Sequence, residues 1–128
     1  MKKCVVDSSF VLSYLFADER RIEVDDVFTR YENGEINLIA PSLIPFEIAN
    51  GLRSAVLRKR ISSRHAVQLL RVFLQLGIET VEQSIEAVLA YAMKHNTSAY
   101  DAPYALLAKV HKLQLFTLDK HLLKLTQT

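Results

Sequence analysis

The sequence predicts an α/β protein with three layers (α/β/α), in which helices cover both faces of a central parallel sheet. Short apolar runs typical of strands alternate along the chain with longer stretches of helical periodicity. Strands that alternate with helices imply right-handed crossovers, and therefore parallel strands. The 128 residues fit a single domain, residues 1–128, and half of them are hydrophobic. Such a chain can bury a core without a disulfide or a structural metal.

The predicted elements follow from apolar patterning and from helix-ending residues. The predicted strands are residues 3–6, 38–40, 78–81 and 115–118, and the predicted helices are residues 10–16, 20–33, 42–60, 63–76, 85–93, 102–113 and 120–125. Gly34 and Gly77 stand where helices should end. Ser42 is expected to cap the helix that begins there. Pro45 falls in the first turn of the same helix, where its missing N–H costs little.

The N-terminal segment and the lone cysteine indicate a reducing, cytoplasmic location. Cys4 has no second cysteine to pair with and lies in an apolar run, which predicts a buried, unreactive thiol. Lys2 and Lys3 precede an apolar run that Asp7 interrupts at once. This run is too short for a signal peptide or a membrane span. We therefore expect a cytoplasmic protein without a membrane segment.

The net charge of +2 does not by itself indicate a nucleic-acid-binding protein. The distribution of the basic residues is more informative, because the stretch between Glu47 and Glu79 contains no acid. Five basic residues crowd into the part of that stretch between positions 53 and 64: Arg53, Arg58, Lys59, Arg60 and Arg64. They could form a basic surface for a phosphate backbone, or they could be a solvated helix end.

Four acidic residues stand apart from the other ten, which lie among charges at helical spacing. Asp7 and Asp119 directly follow predicted strands, and Glu47 and Asp101 lie early in predicted helices. In parallel sheets, ligands bind beyond the carboxyl ends of the strands. Because residues early in a crossover helix lie at that same edge, the four carboxylates are expected to converge on one rim.

Glu47 adds a further observation. The apolar stripe of its helix runs elsewhere, and Glu47 shares its own stripe with small or polar residues: Asn50, Gly51, Ser54 and Arg58. Such a stripe is expected on the wall of a wet cleft.

Each acid also has a purely structural interpretation. Asp7, Asp101 and Asp119 could be N-caps, since helices follow all three, and Ser98 has capping-box spacing with Asp101. Glu47 near a helix N-terminus would gain from the helix dipole. Capping requires no common edge, however, so the convergence favours a shared site.

Clustered carboxylates constrain the chemistry of such a site. Like charges a few ångströms apart cannot all stay ionised without compensation, and a divalent cation is the usual compensation. Oxygen ligands without His or Cys indicate Mg²⁺ or Mn²⁺. Such an ion can activate a water and neutralise charge on a phosphodiester. The isolated glycines form no phosphate-cradling loop that would suggest another chemistry.

Four segments of the chain match the pattern of a known family. They are residues 5–12 (VVDSSFVL), 41–50 (PSLIPFEIAN), 100–108 (YDAPYALLA) and 115–122 (LFTLDKHL), each with one of the four acids. In this order and spacing the chain resembles the PIN domain, and within it the VapC-type toxins of bacterial and archaeal toxin–antitoxin pairs. The resemblance covers essentially the whole chain.

This resemblance implies a PIN-like fold with a parallel sheet of four to five strands. It implies Mg²⁺-dependent cleavage of RNA, with Mn²⁺ as a substitute, and it implies a homodimer and a small antitoxin partner. By the same resemblance Asp7, Glu47, Asp101 and Asp119 are the catalytic residues and hold the metal, directly or through water. Ser9 and Thr117 would line the site with hydroxyl groups.

Other residues are candidates for contacts with the substrate. Arg53, Arg58 and Arg60 are expected to contact phosphate, and Lys120 could do so or partly balance the acids. Three histidines lie near the proposed rim in sequence: His95, His111 and His121. Of these, His121 could be a general base or an RNA contact, or simply face solvent. Three tyrosines could stack on bases or pack in the core: Tyr14, Tyr100 and Tyr104.

Three functional hypotheses follow. The first is a ribonuclease in which water attacks an RNA phosphodiester at the metal site. The second is a catalytically inactive RNA-binding or scaffold protein on the same fold, which the four filled acidic positions disfavour. The third is a phospho-accepting receiver domain, which is disfavoured because Ser8 and Ser9 follow Asp7 where an acid pair is usual.

Overall fold

The computed structural model describes residues 2–127, and within them four strands form one parallel sheet. The strands are β1 (Lys2–Val6), β2 (Ile36–Pro41), β3 (Glu79–Val81) and β4 (Leu115–Phe116). Their order across the sheet is β3-β2-β1-β4, and all neighbouring pairs are parallel. The predicted α/β class with a parallel sheet is confirmed. The first strand of the chain is central, and the last lies at an edge beside it.

Seven α-helices connect or follow these strands within the described residues. They are α1 (Ser8–Leu15), α2 (Ile22–Glu32), α3 (Ile44–Leu57), α4 (Ser63–Gln75), α5 (Ile85–His95), α6 (Ala102–His111) and α7 (Lys120–Leu125). A 3₁₀ turn, Ala17–Glu19, precedes α2. The helix predicted over 20–33 therefore begins later, because Arg21 has extended backbone dihedrals.

The predicted start and end of α3 are both wrong. Ser42 does not cap this helix, because its N–H donates to the carbonyl of Val81 and so continues the sheet. Leu43 occupies the cap position instead. At the other end, Lys59 has a φ of 60°, a left-handed conformation that ends a helix. Pro45 lies in the first turn, as predicted.

The core lies on both faces of the sheet. Cys4, Val5 and Val6 are consecutive and all buried, and successive strand residues point to opposite faces. Helix α2 packs on β2, and α6 packs on both β1 and β2. The predicted burial of Cys4 is confirmed, and burial raises the pKa of its thiol.

Helix α5 buries one of two apolar rows. Val88, Tyr91 and Ala92 are buried. Ile85, Leu89 and Met93, which belong to the same predicted amphipathic pattern, are 78%, 54% and 70% exposed. The helix was predicted correctly, but three of the five apolar residues in the predicted pattern face outward. No helix within residues 2–127 has the length and apolar character needed to cross a membrane.

Helices α1 and α3 approach each other closely at Gly51. A Cβ at this position would lie 2.6 Å from Cδ1 of Leu12, closer than side chains tolerate. Glycine therefore allows α3 to pack directly against α1. This packing brings the first turn of α3, which contains Glu47, near the first turn of α1.

Candidate active site

Asp7 is fixed at the carboxyl end of β1 by hydrogen bonds from both sides. Its Oδ1 accepts from the backbone N–H of Phe10 at 3.0 Å, which caps α1, and from Ser9 Oγ at 2.8 Å. Its Oδ2 accepts from Thr117 Oγ1 at 2.6 Å. The prediction that Asp7 is an N-cap is confirmed, but capping accounts only for its contact with the N–H of Phe10. The residue is only 4% exposed.

This position perturbs the Asp7 carboxyl group. Burial raises its pKa above the ordinary value, the hydrogen bonds from Thr117, Phe10 and Ser9 oppose that rise, and the charge of Asp119 adds to it. Desolvation thus exceeds the effect of the donors. A cation bound next to the Asp7 carboxyl group would stabilise its ionised form, which burial disfavours.

The two hydroxyl groups beside Asp7 connect it to the chain that follows β4. Ser9 Oγ accepts from the N–H of Leu118 at 3.0 Å. Thr117 Oγ1 accepts from the N–H of Asp119, also at 3.0 Å. The structure thus places Ser9 and Thr117 against Asp7, where the resemblance expected hydroxyl groups to line the site. Asp119 itself caps α7, since its Oδ1 accepts from the N–H groups of His121 and Leu122.

Glu47 is hydrogen-bonded to Tyr104, a residue of helix α6. The phenol of Tyr104 donates to Glu47 Oε1 at 2.5 Å. Burial raises the pKa of Glu47, the Tyr104 hydrogen bond opposes this, and the charges of Asp7 and Asp101 raise it further. Burial and the adjacent Glu47 raise the pKa of Tyr104 far above its ordinary value. Tyr104 therefore stays protonated and acts as the donor.

Asp101 occupies the N-cap position of α6, but within residues 2–127 its side chain makes no capping hydrogen bond. The side-chain hydrogen bond at this helix start is made by Ser98, whose Oγ accepts from the N–H of Asp101 at 3.0 Å. The alternative that Asp101 is a side-chain cap is therefore wrong. Burial raises the pKa of Asp101, Asp119 adds to this, and His121 opposes it.

The four acids form one electrostatic group. The charge of Asp119 raises the pKa values of Asp7 and Asp101, and the charges of Asp7 and Asp101 raise the pKa of Glu47. Among the ion pairs of residues 2–127, none includes any of the four. Carboxylates whose charges act on one another in this way retain mutual repulsion, which His121 opposes at Asp101.

The donor chemistry of this group fits a hard divalent cation, because carboxylate oxygens are the ligands that Mg²⁺ and Mn²⁺ prefer. The side chains are not closed around an ion, however. In the described part of the chain, no three Asp, Glu, His or Cys residues stand in an arrangement that could hold a metal. The residues fit the ion by charge and donor type, and a change of side-chain conformation would have to close the site.

A cleft of about 590 Å³ opens beside Glu47. It is lined by Ser8, Leu43, Phe46, Glu47, Asn50, Gly51 and Tyr100. Of the predicted stripe, Glu47, Asn50 and Gly51 line this cleft, whereas Ser54 and Arg58 do not. Two aromatic side chains at its walls face outward: Phe46 is 79% exposed and Tyr100 is 70% exposed. Each directly precedes one of the acids.

For two of the tyrosines and for His121, the structure agrees with one of the two predicted alternatives: Tyr104 and Tyr14 pack in or against the core, and His121 is exposed. Tyr104 cannot stack on bases, because it is 2% exposed. Tyr14 is also engaged, since its ring stacks on Phe28 with centroids 4.1 Å apart. His121 faces Thr97, with 3.0 Å between Nε2 and Oγ1. Two cleft-lining residues, Ser8 and Phe46, were not predicted, and neither was the hydrogen bond from Tyr104 to Glu47. The signal for Phe46 was its adjacency to Glu47.

The basic residues are spread along α3 and beyond it. Arg58 stands at the C-cap of this helix, which puts it roughly 16 Å along the axis from Glu47 at 1.5 Å per residue. Arg60 is paired with Glu19 at 2.7 Å and with Asp18 at 3.3 Å. These two arginines are not brought beside the acids. Arg53 is exposed on α3, and Lys120 directly follows Asp119. Contacts of all four with phosphate stay predictions.

Comparisons with known proteins agree with this geometry. The family model for the PIN domain matches residues 4–127. Ribonuclease VapC3 from Pyrobaculum aerophilum is 28% identical over 124 residues, which cover 94% of this chain and 92% of that protein. The crystal structure of PAE2754 from the same organism superposes with a TM-score of 0.76 and 23% identity, over 99% of this chain and 81% of that one. At that identity the structural likeness shows the fold.

Proposed function

Because this chain belongs to the PIN-domain family, as its four acidic segments predicted, we propose that it is a metal-dependent endoribonuclease. We further propose that it is the toxin of a type II toxin–antitoxin pair. The main support is that burial and the charges of neighbouring rim acids raise the pKa values of Asp7, Glu47 and Asp101. In residues 2–127, none of the four rim acids has an ion-pair partner. The similarity to a protein named ribonuclease VapC3 supports the choice of RNA and of the toxin class.

In this proposal Asp7, Glu47, Asp101 and Asp119 are the catalytic residues and hold Mg²⁺ or Mn²⁺, directly or through water. When bound, the ion supplies a Lewis acid and lowers the pKa of a water for attack on the phosphodiester. The hydroxyls of Ser9 and Thr117 keep Asp7 oriented through the contacts described above. Asp119 stays near α7, because its capping bonds restrict its side chain.

The cleft beside Glu47 is the proposed seat of the substrate. The exposed rings of Phe46 and Tyr100 suit the faces of unstacked bases. Arg53, Arg58, Arg60 and Lys120 are the proposed phosphate contacts. Of these, Lys120 is adjacent in sequence to a rim acid, whereas Arg60 would first have to leave Asp18 and Glu19.

Partners and location are part of the same proposal. We propose a cognate small antitoxin, a homodimer, a single nuclease domain over residues 1–128 and a cytoplasmic location. The exposed row Ile85, Leu89 and Met93 on α5 supports a protein partner, because exposed apolar surface often marks an interface.

A second candidate is a catalytically inactive RNA-binding or scaffold protein. It is favoured by one observation: no metal-holding arrangement of three acidic, His or Cys side chains is present in residues 2–127. It leaves unexplained why acids fill all four rim positions.

Cleavage of a panel of structured and unstructured RNAs by the purified protein would separate the two candidates. We expect cutting with Mg²⁺ or Mn²⁺ that EDTA abolishes and that Asp7→Asn abolishes. Asp18→Asn, an exposed acid outside the rim, is the matched control and should cut normally. Cutting that survives in Asp7→Asn would refute the assigned site. Metal binding measured by calorimetry, if absent, would favour the inactive candidate.

A further inference from the structure

Tyr104 is a buried phenol whose hydroxyl group faces a rim acid. We infer that Tyr104 is a positioning residue that holds Glu47 in the orientation needed for metal binding. This inference rests on the proposed function, since it concerns the same site. It assigns a role to a side chain that neither the sequence pattern nor the family match singles out.

The need for such a residue follows from a difference between two of the acids. Asp7 has a short side chain that accepts from backbone and hydroxyl donors on both oxygens. Glu47 has one more rotatable bond, lies in the first turn of α3 and is only partly buried. Tyr104 donates to its Oε1, and the Ser8 hydroxyl is near enough to favour its charge. Without these donors the carboxylate could turn into the cleft.

Tyr104 is well suited to hold Glu47 in place because it is itself buried. The residue is 2% exposed and belongs to α6, which packs on β1 and β2. It follows Asp101 by three positions, so both lie on one side of that helix. The hydrogen bond to Glu47 therefore fixes an acid of α3 relative to the helix that begins at Asp101.

The hydrogen-bonding capacity of Glu47 is compatible with this role. The phenol contact is to Oε1, and an ionised carboxylate offers about four acceptor sites over its two oxygens. Acceptor sites of this carboxylate therefore remain available for an ion or its water. Residues that orient metal ligands in this way typically change metal affinity or activity by about 10–100-fold when they are removed.

The test is Tyr104→Phe, which removes one hydroxyl and keeps the ring. Tyr14→Phe is the matched control, because Tyr14 also donates to a glutamate, Glu32 Oε1 at 3.2 Å, in an exposed setting outside the cleft. For each protein we would measure the Mn²⁺ dissociation constant by calorimetry, the metal-free Tm, and kcat and KM on a cleaved RNA.

We expect Tyr104→Phe to weaken Mn²⁺ binding about 10-fold or more, to lower kcat more than it raises KM, and to leave a folded metal-free protein. Tyr14→Phe should bind Mn²⁺ within twofold of the wild type. In a Glu47→Gln background, Tyr104→Phe should cause no further loss of Mn²⁺ affinity, because the proposed effect passes through the Glu47 carboxylate.

Wild-type Mn²⁺ affinity in Tyr104→Phe would overturn the inference and leave the proposed function standing. Losses that add in full in the double variant would also overturn it, since Tyr104 would then act without Glu47. A wild-type protein that binds no Mn²⁺ at millimolar concentration would overturn both. If Tyr104→Phe does not fold, Glu47→Asp draws the carboxylate away from the phenol, and unchanged Mn²⁺ affinity there would refute the inference.

Discussion

Acidic residues gather at two places in this protein, and the two differ in how their charge is balanced. Near the end of α3, Arg60 pairs with Asp18 and Glu19, and its guanidinium lies 4.8 Å from the centroid of the Phe16 ring. At the rim, Asp7, Glu47, Asp101 and Asp119 meet without an ion-pair partner among residues 2–127. The first cluster has an arginine within ion-pairing distance, whereas the second has none in that part of the chain, and we propose that a divalent cation takes that place.

This comparison shows why counting acids does not identify a site. Asp18 and Glu19 are also neighbouring acids, but both pair with Arg60 at the surface, where ion pairs contribute little. At the rim, burial is the largest cause of the raised pKa values of Asp7, Glu47 and Asp101. Carboxyl groups whose pKa values are raised by burial and by like charges are concentrated at functional sites, which makes this rim a candidate site.

Removal of one acid from each cluster should have the largest differential effect. We expect Asp7→Asn or Asp101→Asn to lower RNA cleavage by roughly 10³-fold, since loss of a metal ligand removes several kcal/mol of transition-state stabilisation. Asp18→Asn should cleave within twofold of the wild type. Initial rates on one RNA at fixed Mg²⁺ check this, with circular dichroism to show that each variant is folded. Full activity in Asp101→Asn would remove it from the site.

Addition of metal should distinguish the clusters next. At about 100 times its dissociation constant, Mn²⁺ stabilises a folded protein by about 2.7 kcal/mol, which is on the order of 10 °C in Tm for a chain of this size. We expect this shift in the wild type and in Asp18→Asn, and its loss in Asp7→Asn. Thermal unfolding with MnCl₂, compared with KCl of equal ionic strength, measures it. A similar shift in Asp7→Asn would place the ion elsewhere.

The aromatic walls of the cleft should contribute a smaller effect. Stacking of a base on an aromatic ring is worth about 1–3 kcal/mol, so Tyr100→Ala and Phe46→Ala should each raise KM for RNA by roughly 10-fold with little change in metal-free Tm. Ile22→Ala is a suitable control, because Ile22 is 87% exposed and does not line the cleft. An equal rise of KM in this control would show that the rings have no specific role.

The smallest expected effect is a pH dependence of stability without metal. Because burial raises the pKa of Asp7, the folded state binds this proton more tightly than the unfolded state does. The resulting stability is present at low pH and is lost as the pH rises through the raised pKa. Asp7→Asn lacks this loss, so its Tm in EDTA should exceed that of the wild type by a few degrees near pH 7, roughly 2–6 °C.

Unfolding scans of both proteins between pH 4.5 and 7.5 test the sign. The difference in Tm should widen as the pH rises. A constant difference would mean that ionisation of Asp7 does not oppose folding, and that its hydrogen bonds from Ser9, Phe10 and Thr117 offset the desolvation in full.

The fold class and the position of Asp7 were predictable from the sequence for a shared reason. Asp7 follows an apolar run that forms the buried strand β1, and the carboxyl ends of parallel strands meet at one edge. The position of Asp7 therefore depends on local pattern and general topology. The strand predicted over 115–118 ends at Phe116, so Asp119 lies three residues beyond it. The metal and the catalytic roles are still proposals, because neither pattern nor topology determines how the side chains close around an ion.

Other features depended on contacts that no local pattern contains. The hydrogen bond from Tyr104 to Glu47 joins residues 57 positions apart. Both rows of α5 carry apolar residues at helical spacing, so periodicity could not choose between Leu89, which is exposed, and Tyr91, which is buried. Ser42 does not cap α3. Its N–H donates to the carbonyl of Val81, a strand residue distant in sequence, and Leu43 occupies the cap position.

The pairing of the first strand with the last also governs how the rim is assembled during folding. Asp7 and Thr117 are 110 positions apart, and β4, which brings them together, is the two-residue edge strand Leu115–Phe116. Closing so long a loop is entropically costly, and non-local contacts of this kind form late. We therefore expect the sheet of β1, β2 and β3 to exist before the rim does. On the ribosome, a nascent chain would hold Asp7 and Glu47 in place but could not complete the acidic rim until Asp119 had emerged.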